Sequence, residues 1–357
     1  MKILRPILVL ASFPILTVNA MAQVSLVPPA AQTPQASGEP AAKPKAKPPA
    51  VAKKPAATPK PEATPAPAAT VTPAPTPDDP NVDLVYGAYQ RGMYKTAFDL
   101  ATRRAQESGD PKAMTMLGEL YANALGVKRD DAKAAEWFRR AADGGDREAM
   151  FELAMLRLAG RGGPVNREEA VKLLASSAKL GNPKAAYNLA LLYLDGQTLP
   201  QDLKRSAELL RLAADAGNPE AQYALATFYK EGTGVPKDID KAVRLLQAAS
   251  LADNVDAEVE YAIALFNGTG TPKNEPAAVA LLRKAAKQNN PIAQNRLARV
   301  LASGQGTPVD RVEALKWHLI AKTAGKGDPL LDEALAGISP EDRAKAEAAV
   351  RKWLGVK

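Results

Sequence analysis

The sequence lacks cysteine and contains a single histidine, His318. Without cysteine the chain forms no disulfides, thiolate nucleophiles or thiolate metal sites. One histidine also excludes the zinc motifs that place two histidines on one helix. These absences remove several common catalytic and metal-binding arrangements before any motif is considered.

Long hydrophobic runs are missing as well. The most apolar stretch, Ile7–Val18, is too short to span a bilayer comfortably and is interrupted by Pro14. It follows a basic start and precedes Ala20–Ala22, an order typical of a secretory signal peptide cleaved after Ala22. We therefore predict that Met1–Ala22 directs export, to the periplasm or the extracellular space, with an uncleaved anchor as the alternative. No cysteine follows the cleavage site, which excludes a lipoprotein.

Charge of one sign is not concentrated anywhere. The net charge is +8, but the first 22 residues and residues 23–80 carry about half of it, and the remaining chain intersperses both signs. Nucleic-acid-binding domains usually cluster their basic residues on one face or helix. We predict no nucleic-acid partner.

Residues 23–80 are rich in proline, alanine and lysine and contain few large apolar side chains. Such a segment cannot bury enough apolar surface to offset the entropy of ordering it. Its prolines favour an extended polyproline II spacer. We predict a disordered linker, and a weak contact of its lysines with cell wall or anionic lipid is the alternative.

Residues 113–328 repeat with a step of 36 residues. A period in this range is typical of stacked supersecondary units. Within each unit, apolar residues spaced by three and four predict two amphipathic helices joined by a loop. The step is clearest in an alanine column and in a glycine or alanine column five residues later: Ala113, Ala149, Ala185, Ala221, Ala257, Ala293; Gly118, Ala154, Ala190, Ala226, Ala262, Ala298.

Helix-capping residues recur at the same step. Glycine follows the first helix of five units, and glycine, aspartate or asparagine follows every second helix, as a left-handed terminus requires. Aspartate or asparagine precedes every second helix, where its side chain caps free amides. Capping is sufficient to explain this polar column without a catalytic role. The three columns are Gly160, Gly196, Gly232, Gly268, Gly304; Gly145, Gly181, Gly217, Asp253, Asn289, Gly325; and Asp130, Asn166, Asp202, Asp238, Asn274, Asp310.

Helical segments flank the array on both sides. Residues 81–112 predict a short helical pair that caps the N-terminal end. Residues 329–357 predict a C-terminal capping helix whose N-cap is Ser339, followed by proline and acidic residues. A helix that docks a partner is the alternative for this tail. The fold class is therefore all-α, an α-solenoid of six 36-residue helix-loop-helix repeats with N- and C-terminal caps.

We find no catalytic set in the sequence. His318 occupies a column that holds Phe or Leu in other units, which favours packing over catalysis. The Gly-x-Gly loops lack the preceding strand and the third glycine of a dinucleotide-binding motif. We predict that the protein is not an enzyme and binds neither cofactor nor metal.

The residue order in Ala113–Gly145 (Ala, Leu-Gly, Tyr, Gly-x-Gly-Val, Asp, Lys-Ala, Trp-Phe, Ala-Ala, Gly) resembles the Sel-one-like repeat, a relative of the tetratricopeptide repeat. Ala221–Asp253 matches nearly as well, whereas Arg157, His318 and Lys322 depart from the pattern. The resemblance implies an exported bacterial adaptor with a right-handed superhelix, protein partners and no shared catalytic residues. A cysteine-rich branch of this family has been linked to β-lactam and cell-wall binding, and the absence of cysteine argues against that branch. Cell-wall binding or hydrolysis, and a secreted effector acting on a host protein, stay open as alternatives.

The resemblance also implies that the first helices line a concave surface. Periodicity places the second, sixth and ninth residues after each repeating alanine on it, and these are apolar in the central units. We expect a groove for an amphipathic helix or extended peptide from a protein of the cell envelope, bound by a monomer. The alternative is that neighbouring helices bury these residues. The predicted binding residues are Phe151, Met155, Leu158, Tyr187, Leu191, Leu194, Tyr223 and Phe266.

Overall fold

The computed structural model describes residues 83–355, and all regular structure in that range is α-helical. The predicted signal peptide and linker lie outside the described residues. The sixteen helices of the described range are α1 (Leu84–Gln90), α2 (Tyr94–Ser108), α3 (Pro111–Ala122), α4 (Asp131–Asp143), α5 (Arg147–Ala159), α6 (Arg167–Lys179), α7 (Pro183–Asp195), α8 (Leu203–Asp215), α9 (Pro219–Glu231), α10 (Ile239–Leu251), α11 (Val255–Asn267), α12 (Glu275–Lys287), α13 (Pro291–Ser303), α14 (Arg311–Thr323), α15 (Pro329–Ala334) and α16 (Pro340–Leu354).

Helices α3–α14 form six consecutive hairpins, which confirms the predicted solenoid. We call the odd-numbered members α3 to α13 the first helices and the even-numbered members α4 to α14 the second helices. Each second helix packs against its own hairpin partner, and α4 to α12 also pack against the first helix of the next hairpin. Salt bridges also join like helices, from Lys230 of α9 to Glu260 of α11 and from Arg139 of α4 to Glu169 of α6. The first and second helices therefore form two layers.

The second helices begin where the capping column predicts. Asp130 accepts a hydrogen bond from the Lys133 amide at 3.0 Å, and the same contact recurs in the other five units. The first helices have a matching column that was not predicted. In every unit an Asp or Asn side chain accepts from an amide of the first turn. This column is Asp110, Asp146, Asn182, Asn218, Asn254 and Asn290.

The chain reverses through left-handed residues at the predicted positions. Where glycine is absent, Ala124, Asp253 and Asn289 adopt φ of 56°, 61° and 64°. Gly234 has a second reason to be glycine, because a Cβ there would lie 2.2 Å from the carbonyl oxygen of Leu203. Its loop thus packs directly onto the preceding α8.

Side-chain sizes are matched between the two helices of the first hairpin. A Cβ added to Gly118 of α3 would lie 2.5 Å from the ring of Phe138 on α4. In the next four units the same two columns hold alanine and leucine, as in Ala190 and Leu210, and both of these residues are fully buried. The small column therefore sets how large the facing core residue can be.

Additional helices extend the array at both ends. Helix α2 packs against α3, and α16 packs against α14. Ser339 caps α16 through the Asp342 amide, as predicted, and Trp353 stacks edge-to-face on Trp317 with ring centroids 5.1 Å apart. The short α15 was not predicted, since residues 329–357 were expected to form a single capping helix.

Candidate interaction surface

The structure separates the eight predicted binding residues into two groups. Phe151 and Phe266 are only 8% and 6% exposed, so the expectation that they project from the surface is wrong. Phe151 belongs to the core formed by α5–α11, and Lys184 lies over its ring. The other six are half-buried: Met155, Leu158, Tyr187, Leu191, Leu194 and Tyr223. Their role as partner contacts stays a prediction.

A further column of the first helices shares this half-buried environment and was not predicted. It lies three residues after the repeating alanine in the second to sixth units and includes Glu152 on α5, Glu260 on α11 and Arg296 on α13. The sequence feature that could have identified this column is the recurrence of charged residues next to an apolar stripe. We define the first-helix surface as the half-buried residues two, three, six and nine positions after the repeating alanines.

The N-terminal end of this surface is acidic. Glu119 of α3 and Glu152 of α5 are both half-buried. Burial, together with the Glu152 carboxylate, raises the pKa of Glu119 to about 7, and Lys184 opposes this shift. Burial also raises the pKa of Glu152, again against Lys184. Desolvation therefore outweighs the nearby cations, Lys184 and, for Glu152, Arg161, and the two carboxyl groups disfavour being charged together.

The centre combines apolar side chains with two tyrosines. Burial and the Glu220 carboxylate raise the pKa of Tyr187. Burial, and then Glu260, raises the pKa of Tyr223 to about 12. Both phenols therefore remain neutral hydrogen-bonding groups at physiological pH, and they lie beside the aliphatic Leu191 and Leu194.

The C-terminal end carries paired charges. Lys230 contacts Glu260 at 3.0 Å, and Arg299 of α13 forms a salt bridge with Asp328, the N-cap of α15. The neighbouring Arg296 is half-buried, and its pKa is lowered by burial and then by Arg299. The first-helix surface thus changes from carboxylates at α3 and α5 to arginines at α13.

His318 lies in the interior of the protein and is not part of the first-helix surface. It is fully buried in α14, and its Nε2 lies 2.8 Å from the Asp332 carboxylate of α15. Lys322 contacts the same carboxylate. The two departures from the repeat pattern therefore join the last hairpin to α15. Among residues 83–355, no group of three or more histidine, aspartate or glutamate side chains is arranged to hold a metal ion.

In the described part of the chain, none of the helices combines the length and the apolar composition needed to cross a bilayer.

Six stacked hairpins with two capping columns define the class as an α-solenoid. The Sel1 repeat matches residues 111–146, 147–182, 183–218, 219–254, 255–290 and 291–326 without a gap. The chain belongs to the Sel1 repeat family, which is the Sel-one-like repeat that its sequence resembles.

Solved structures support the same assignment. A Sel1 repeat protein from Oxalobacter formigenes is 25% identical, with a TM-score of 0.60, over 67% of this chain and 98% of the other. A protein from uropathogenic Escherichia coli described as a protective antigen with an SLR fold, c5321, is also 25% identical, with a TM-score of 0.52. That match covers 73% of this chain and 64% of the other. No curated protein matches the sequence.

Family membership fits a protein-interaction scaffold. Sel1 repeat proteins bind protein partners and are typically non-catalytic. Repeat arrays of this kind present extended surfaces on which a partner contacts several units at once.

Proposed function

We propose that this protein is a non-catalytic scaffold of the cell envelope that binds a partner protein along the first-helix surface of α5, α7 and α9. The observation that supports it is the half-buried apolar strip formed by Met155, Leu158, Leu191 and Leu194 with Tyr187. A large residue that is only half-buried after its own fold is complete retains apolar area for a partner. The secretory pattern of Met1–Ala22 supports an exported, periplasmic location, and the linker of 23–80 supports a spaced attachment.

The test is site-specific photocrosslinking with the full chain in cells. A crosslinking side chain replaces Met155 or Leu191 in two variants, and Lys172 in a third. Lys172 lies on the second-helix layer with 73% of its side chain exposed, so it controls for collision with abundant proteins. We expect one discrete adduct from positions 155 and 191 and none from 172.

A second measurement tests the same strip by loss of binding. Met155→Glu with Leu191→Glu places two charges on it and is expected to abolish the adduct formed from a crosslinker at Leu194. Circular dichroism of the doubly substituted chain checks that its helices are intact. An unchanged adduct, or adducts that form equally from Lys172, would show that binding lies elsewhere.

A further inference from the structure

The acidic end of the first-helix surface adjoins the apolar strip. Glu119 and Glu152 come from α3 and α5, and Met155 and Leu158 follow Glu152 on the same helix. Residues three and four apart share a helix face. The carboxyl group of Glu152 and the side chain of Met155 are therefore neighbours on one continuous surface.

Neither carboxyl group is neutralised within the described part of the chain. Glu119 and Glu152 make no side-chain hydrogen bond or salt bridge there, whereas most carboxylates of the array do. Lys184 lowers the pKa of both groups and Arg161 also lowers that of Glu152, but burial, with the neighbouring carboxylates, outweighs this attraction. A cation brought by a partner would meet two carboxyl groups whose desolvation the fold already imposes.

A later carboxylate on the first-helix surface, in the same column as Glu152, does have an ion-pair partner. Glu260 stands three units after Glu152, and Lys230 of the preceding first helix contacts it at 3.0 Å. Further along the array, Arg299 forms a salt bridge with Asp328. Glu119 and Glu152 therefore differ from Glu260 in offering carboxyl groups without an ion-pair partner next to apolar area.

We infer that the α3–α5–α7 end of the first-helix surface docks a segment of another protein that carries a lysine or arginine next to aliphatic side chains. The aliphatic groups cover Met155, Leu158 and Leu191, and the cationic group lies between Glu119 and Glu152. This inference rests on the proposed function and adds the chemistry of the partner.

The experiment is a peptide array probed with the purified full chain. Each ten-residue peptide keeps two leucines, and its other positions vary among lysine, glutamate and serine. We expect the chain to retain peptides with lysine beside leucine, and to lose them as salt rises, because partly exposed charges are screened.

Two variants and one control assign the preference to this site. Glu119→Gln and Glu152→Gln are each expected to weaken the lysine peptides about three- to tenfold in a fluorescence titration. Glu168→Gln makes the same charge change on the second-helix layer, where the side chain is 80% exposed, and is expected to leave affinity unchanged. Helix content measured by circular dichroism confirms that the variants are folded.

The outcomes separate this inference from the proposed function. Peptides bound through leucine with no preference for lysine, or with a preference for glutamate, would refute the basic partner and leave the apolar docking strip intact. Equal losses of affinity from Glu152→Gln and Glu168→Gln would also refute the basic partner and leave the apolar docking strip intact. Failure to retain any peptide, with no adduct from Leu191 in cells, would contradict both.

Discussion

Helices α7 and α8 belong to one hairpin and differ in how their residues meet solvent. In α8 nearly every side chain is either buried, as Leu210 is, or exposed, and Leu203 is the sole half-buried one. In α7 half-buried residues are the largest group, including Tyr187, Leu191 and Leu194. The second helix is therefore a conventional amphipathic helix with two distinct faces. The first helix keeps apolar area that its own repeat does not cover.

The difference separates residues that hold the array together from residues that are free to serve binding. Columns that recur at 36 residues belong to the first group, because each unit has to solve the same packing and capping problem. The first-helix surface varies from carboxylates to aliphatic residues to arginines along the array. Variation at structurally equivalent positions is what recognition of one specific partner requires.

Truncation in each layer gives the largest expected effect. Leu210→Ala removes a fully buried side chain of α8 and is expected to lower the free energy of unfolding by about 2–5 kcal/mol. Leu191→Ala, on the half-buried face of α7, is expected to cost less than half of that, since water already reaches part of the side chain. Urea unfolding followed by circular dichroism measures both. Equal losses would show that the first-helix surface is ordinary core.

The second-largest effect on stability is expected from a change at the contact between the two helix layers. Gly118→Ala puts a Cβ 2.5 Å from the Phe138 ring and is expected to cost about 1–3 kcal/mol, although alanine favours the helix itself. Phe138→Leu restores the alanine–leucine pair of the following repeats, so the double substitution is expected to recover most of the loss. A double-mutant cycle from urea unfolding measures this coupling. Additive effects would mean that the two columns are independent.

Features set by the local sequence could be predicted, whereas features that depend on neighbouring helices could not. Capping residues and left-handed termini such as Asp130 and Gly160 act within a few residues of themselves, so periodicity located them. The burial of Phe151 and Phe266 depends on neighbouring units and was missed for that reason. Helix α15 was missed because its contacts to His318 and Arg299 are made across helices.

The pH dependence of stability tests whether Glu119 on the first-helix surface is desolvated. The pKa of Glu119 rises from 4.5 to about 7 on folding, so the folded chain binds more protons between these values and loses stability as pH increases. Glu119→Gln mimics the protonated form. It is expected to be more stable than the wild type by on the order of 1–2 kcal/mol at pH 8, and equally stable near pH 4. Thermal unfolding of both chains from pH 4 to 8 measures the difference, and Glu168→Gln serves as the exposed control.

A difference between the two chains that does not change with pH would show that Glu119 is solvated like a surface glutamate. Glu148, Glu152, Asp146 and Lys184 share its surroundings and are the same in both chains, so the comparison between variants, rather than the pH profile of either, isolates this carboxyl group.

The smallest effect on stability is expected from the loss of one N-cap on a second helix. Asp202 accepts from the Arg205 amide at 2.8 Å, and Asp202→Ala is expected to cost about 1 kcal/mol, whereas Asp202→Asn keeps an acceptor and costs less. Binding through α5 and α7 is expected to survive both, because α8 retains its buried face. A cap variant of normal helix content that loses the Leu191 adduct would show that the two layers are not separable, and that recognition depends on the exact stacking of every repeat.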